Sequence, residues 1–226
     1  MILWIRVSSL YDQLEDVQYF EDELHAAVMA AEDAGTYVMV HVYVPEAIRR
    51  AIRAGVKSIE HGQLIDEPTM KLIAEKGVWL SMQPFIGEGN NHYTNPVQQA
   101  KHELVVQGTD RAYQLAKKYG VKLAWGTDLL FSPANARNQN LNIEKMTRWF
   151  SNFEILKMIT HDNAELLALS GRRNPYPGKL GVIEEGALAD LIVVDGNALE
   201  DIKVLTDPGK NMLLIMKDGK IYKNDL

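Results

Sequence analysis

Three residues far apart in the chain share one setting. His41 sits in an alternating apolar run over residues 37–44, and His61 directly follows the run 56–60. Asp128 follows a run in which Val121, Leu123 and Trp125 alternate with Lys122, Ala124 and Gly126. Alternation and β-branched content predict a strand for each run. Side chains at the C-terminal tips of parallel strands are where α/β barrels assemble their chemistry. His41, His61 and Asp128 are therefore taken as one candidate site. The chain has no cysteine, which excludes disulfides and thiolate ligands; a metal would have to be held by His, Asp or Glu. Each residue also has an ordinary role open to it. A strand histidine can be a hydrogen-bonded core residue. Asp128 can cap a following helix, and Tyr43 can be a packed strand residue.

The elements that would position these residues alternate. A helix is predicted over residues 21–34, with Glu21, Asp22 and Glu23 suiting its N-terminal dipole and Gly35 ending it. After the His41 strand, Pro45 opens a helix over 46–54, stopped by Gly55. The His61 strand is followed by a helix over 66–76, with Asp66 as N-cap and Gly77 as terminator. A strand over 78–82 closes at Gln83-Pro84. Residues 85–95 form a loop rich in Gly and Asn, in the place of a lid; His92 within it and His102 just beyond it are placed to touch a ligand. A long helix over 98–119 contains Gly108, where it divides into two pieces if Gly108 breaks it. Short helices are expected over 143–150, 153–159 and 160–170. The strand–helix alternation predicts a parallel α/β sheet or barrel with about four strands. A closed barrel needs eight; an open four-stranded sheet is the alternative.

Beyond Gly171 the texture changes to a Pro-rich connector and short apolar runs. Asp218-Gly219 between two such runs is a type I′ hairpin signal. The chain thus divides into residues 1–171 and a small β segment, 172–226. The remaining charged candidates read as surface: His25 among helix acids, His161 at a helix start, and Glu144 with Arg148 as an exposed pair. Asp190 and Asp195 read as turn residues.

Of the 226 residues, 46% are hydrophobic and 24% charged, an ordinary globular balance. Net charge is −6 with no basic stripe, which argues against a nucleic-acid partner. No apolar run reaches the ~18–20 residues that span a bilayer. The first seven residues lack the features of a signal peptide, so a cytoplasmic location is the default expectation.

Several stretches together resemble the metal-dependent amidohydrolase superfamily, in its imidazolonepropionase-like and Xaa-Pro-dipeptidase-like branch. They are VMVHVY around His41, IRRAIRAGVKSIEHG ending at His61, AWGTD at Asp128, NAELLALSG, KLGVIEEGALADLIVVDG and MKDGKIY. The resemblance implies a TIM-like (β/α)8 barrel with a β-sandwich built from both chain ends. It further implies His41 and His61 as the metal ligands of barrel strands five and six. Asp128 would be the metal-binding and proton-shuttling carboxylate of strand eight, and Tyr43 a substrate contact. The family's His-x-His of strand one and the lysine of strand four have no counterpart here, and Arg6 cannot replace that lysine because it keeps its charge. The expectation is the C-terminal half of the barrel followed by the end of the sandwich, a truncated chain.

Such a chain would hold one divalent metal at most, zinc first among them, since imidazoles with a carboxylate suit that ion. The implied activity is hydrolysis of C–N bonds in amides, dipeptides or cyclic amides. The alternative is a catalytically inactive remnant or assembly partner that pairs, as a homo-oligomer or with another half, through an exposed half-barrel.

Overall fold

The computed structural model describes residues 7–87, 93–129 and 133–226. They fall into two compact units: residues 1–126 with 169–173, and residues 127–168 with 174–226. In the first unit the order is α1 (Glu21–Asp33), β1 (Met39–Val42), α2 (Pro45–Arg53), β2 (Ser58–His61), α3 (Glu67–Lys76), β3 (Trp79–Met82), α4 (Pro96–Tyr119) and β4 (Leu123–Trp125). The strands form one parallel sheet in chain order, β1-β2-β3-β4. A helix lies between each strand and the next, as the alternation predicts.

Local chemistry sets the helix ends. Phe20 N–H donates to the Glu23 carboxylate at the start of α1, at 2.8 Å. The Asp66 side chain accepts from Thr69 N–H at 2.9 Å and caps α3, and Gly77 ends that helix in the left-handed region (φ 62°). Asn95 accepts from Val97 N–H at the start of α4. Gly108 does not divide α4, which runs unbroken for 24 residues. A Cβ at Gly108 would stand 2.3 Å from the backbone oxygen of Gln63. The glycine is there for close approach between α4 and the loop after β2.

Register sorts the strand residues into rows. Val40, Ile59, Leu80 and Leu123 are paired across the four strands, and all are buried, Ile59 and Leu80 fully. His41, Glu60, Ser81 and Ala124 make the neighbouring row on the opposite face. The first row is thus apolar, while the second carries the polar His41, Glu60 and Ser81, with successive rows on opposite faces as period-two alternation dictates.

The second unit contains α5 (Pro133–Ala136), α6 (Leu141–Lys145) with a 3-10 turn at Met146–Arg148, α7 (Asn152–Lys157), α8 (Asn163–Ala168), β5 (Leu191–Val194), α9 (Pro208–Asn211), β6 (Met212–Lys217) and β7 (Lys220–Asn224). Strands β5, β6 and β7 form an antiparallel sheet in that order. Its β6–β7 turn is the predicted hairpin, with Asp218 (φ 50°) and Gly219 (φ 72°) both in the left-handed region. Two expected helices, 153–159 and 160–170, are joined instead of separated: a π-turn, Met158–Asp162, connects α7 to α8. Ser151 caps the whole run, accepting from Glu154 N–H. Glu144 pairs with Lys203 at 3.1 Å, and the Arg148 guanidinium lies over the Trp149 ring. Asp190 accepts from Asp218 N–H at 2.6 Å, a turn role as expected.

Candidate functional site

The site begins with a departure from strand geometry. His61 is register partner to Val42, so alternation alone would send it to the apolar side. Its φ is 80°, a left-handed value that non-glycine residues rarely adopt. The imidazole is turned so that its centroid lies 4.1 Å from that of His41, which belongs to the polar row. Tyr43 completes the group: its ring stacks on His61 at 4.8 Å and meets His41 edge-on at 5.2 Å. The turn is supported from both sides. Gly62 N–H donates to Val42 O at 2.8 Å and Leu64 N–H to Tyr43 O at 3.2 Å, carrying the ladder past His61. A Cβ at Gly62 would meet Leu80 Cδ1 at 2.9 Å, and Gly108 lets α4 close on the same loop from behind.

Burial decides the protonation of His61. The residue is 2% exposed, and burial pushes its imidazole well below the usual histidine value; the neighbouring His41 pushes the same way, and a side-chain hydrogen bond with Gln83 opposes them. A neutral imidazole beside a second one is the donor state that a divalent metal requires. Two imidazoles side by side, one of them held neutral, are donors of the kind such an ion takes.

Gln83 was not singled out from the sequence. It directly follows β3 (Trp79–Met82), so the rule that found the histidines, a polar residue at a strand tip, also reaches it. On the polar row, Ser58 Oγ donates to Glu60 at 2.6 Å. Burial holds the Glu60 carboxyl above its usual range against the hydrogen bonds of Ser58 and Ser81. Burial and the Glu60 charge together push the Tyr37 hydroxyl up to about 12.

The remaining candidates divide. Tyr43 packs in a buried cluster with Val7, Leu14 and Val105, bordered by Phe85 and Tyr93. His102 is buried, with its ring 6.0 Å from Phe85 and 5.6 Å from Tyr93. His25 is exposed, as expected, with its Nδ1 3.4 Å from Ala54 O. His92 lies outside the described residues. Asp128 belongs to the second unit, three residues beyond β4, exposed and with φ 52°. Among the described residues, the next helix begins at Pro133. Among the described residues, the His and carboxylate donors that gather as a trio within 4.8 Å are His161, Asp162 and Glu165, also in the second unit. No described helix is long and apolar enough to cross a membrane.

The amidohydrolase family model matches residues 6–222. The chain is 32% identical over 221 residues to an ochratoxinase from Aspergillus niger, an alignment covering 96% of this chain and 44% of that protein. A crystal structure of a prolidase complexed with N-methylphosphonate-L-proline superposes with a TM-score of 0.85 at 35% identity, covering 96% of this chain and 52% of the other. A Xaa-Pro dipeptidase with bound methionine in its active site gives 0.76 at 32% identity, covering 92% and 50%. The chain spans about half the length of the curated relatives it matches. The matched chains account for the open sheet: four parallel strands correspond to half a barrel.

Proposed function

We propose, on the premise that this chain belongs to the amidohydrolase family, that it carries part of a metal-dependent active site for hydrolysing C–N bonds. The observation that carries this reading is the pair of imidazoles 4.1 Å apart at adjacent parallel strand ends, with His61 held neutral. His41 and His61 would hold one divalent ion, zinc being the ion that two imidazoles and a carboxylate suit best. When bound, the ion lowers the pKa of water towards ~7 and polarises the scissile carbonyl. Asp128 is assigned the proton transfers: it accepts the proton as water's oxygen bonds to the carbonyl carbon, and returns it to the nitrogen as the C–N bond breaks. Tyr43, stacked on His61, is assigned a substrate contact, and His92 a second one from the loop. The prolidase and dipeptidase neighbours point to substrates of dipeptide or N-acyl amino acid type. In the complete fold, residues 1–171 would contribute to the barrel and 172–226 to the sandwich.

The test is metal analysis after expression in zinc-supplemented medium, with hydrolysis assays on dipeptides and N-acyl amino acids. One zinc per chain should survive dialysis and be lost in His41→Ala. The half-length match favours a second reading, an inactive remnant or assembly partner. No retained zinc and no turnover would decide for it; retained zinc without turnover would show a site that needs further strands.

A further inference from the structure

We propose a second, exchangeable divalent-metal site in the other unit, ligated by His161 and Glu165 and oriented by Asp162. The π-turn Met158–Asp162 widens the helix where His161 projects, and such turns frequently sit at functional positions. His161 Nδ1 lies 2.8 Å from Asp162 Oδ1, and His161 Nε2 lies 3.9 Å from Glu165 Oε1. An ionised carboxylate only accepts, so Nδ1–H donates to Asp162 and the Nε2 lone pair faces Glu165. A carboxylate behind the ring is how metal-binding imidazoles are commonly held. Donors around zinc stand ~3.4 Å apart for bonds of ~2.1 Å, so a small rotation of the exposed Glu165 side chain closes the pair on an ion.

The cluster is built into a groove of about 390 Å³ lined by His161, Glu165, Asn174, Leu180 and Glu184, among others. Gly181, at φ 71°, presses onto the peptide that carries His161: a Cβ there would stand 2.6 Å from Thr160 O and 2.7 Å from His161 Cα. The loop therefore packs against the backbone that carries His161, and His161 and Glu165 both line the groove. One cation already leans on the site. Lys157 donates to Asp162 and would repel a bound ion. The expected ligand is a borderline divalent ion, zinc above magnesium, because one donor is imidazole.

Zinc binding to the full chain by equilibrium dialysis tests this, using His41→Ala/His61→Ala to isolate the second site from the first. That variant should still bind one exchangeable zinc. Adding Glu165→Gln or His161→Ala should abolish it; Asp162→Asn should weaken it by about 10- to 100-fold, and Lys157→Gln should tighten it several-fold. Circular dichroism of the Glu165→Gln protein checks folding, since that side chain is exposed. Absence of exchangeable zinc in the double variant, or its persistence after His161→Ala, would overturn the proposal while leaving the His41–His61 reading standing.

Discussion

A left-handed backbone at a residue with a Cβ costs about 1–3 kcal/mol and persists only where surroundings enforce it. Among the described residues without a glycine, His61, Asp128 and Asp218 adopt it. Asp218 is accounted for by its hairpin. The other two are residues that sequence alone put in the candidate site. If His61 is there to bind rather than to pack, asparagine should serve the backbone equally well, because Asn tolerates this region. His61→Asn is expected to melt within a few degrees of the parent by scanning calorimetry yet lose its retained zinc; a collapsed transition would mean the ring is a packing element. Gln83 acts one layer further out. Gln83→Leu keeps the volume but removes the hydrogen bond to His61, and should weaken zinc affinity by about 10- to 100-fold without altering ion stoichiometry.

Elements hold these residues through close approaches that hydrophobic pattern does not encode. Gly108→Ala is expected to destabilise the protein by about 1–3 kcal/mol in urea unfolding, because the added methyl meets the Gln63 carbonyl and pushes α4 off the loop after His61. That same strain should lower zinc retention, which an ordinary Gly→Ala change in a helix would not. Further along, α3 and α4 are tied where Lys118 and Tyr119 both donate to Glu67. The hydrogen bond from Lys118, then that from Tyr119, holds the Glu67 carboxyl at about 2, below an unfolded value of 4.5. The tie is complete above pH 4.5 and disappears as pH falls towards 2. The gap in melting temperature between the parent and Glu67→Gln should therefore persist at pH 6, narrow below pH 4.5 and close towards pH 2; a gap independent of pH would assign it to packing. The order of strands and helices and the strand-tip location of both histidines were legible, because alternation, caps and glycine stops are local. Continuity of α4 through Gly108, the π-turn at Met158–Asp162 and the burial of His102 were not, because each is decided by a segment distant in the chain.

At the scale of the molecule, β1 and β4 are the outer strands of the sheet among the described residues. The relatives are about twice as long as this chain, in keeping with the half-barrel expected from the motifs present. What covers these edges here is a matter of energetics. An unpaired parallel edge favours pairing with another chain, since its free backbone groups must be satisfied by water, by a loop or by a new strand. The chain alone is expected to sediment as a concentration-dependent mixture of monomer and larger species. Met39 sits at the start of β1, half-buried, and Met39→Lys would place a charge on that edge. The substitution should shift sedimentation towards monomer with little change in unfolding midpoint. A parent chain that stays monomeric at every concentration would mean that water and its own loops satisfy both edges, and association would then play no part in completing the His41–His61 site.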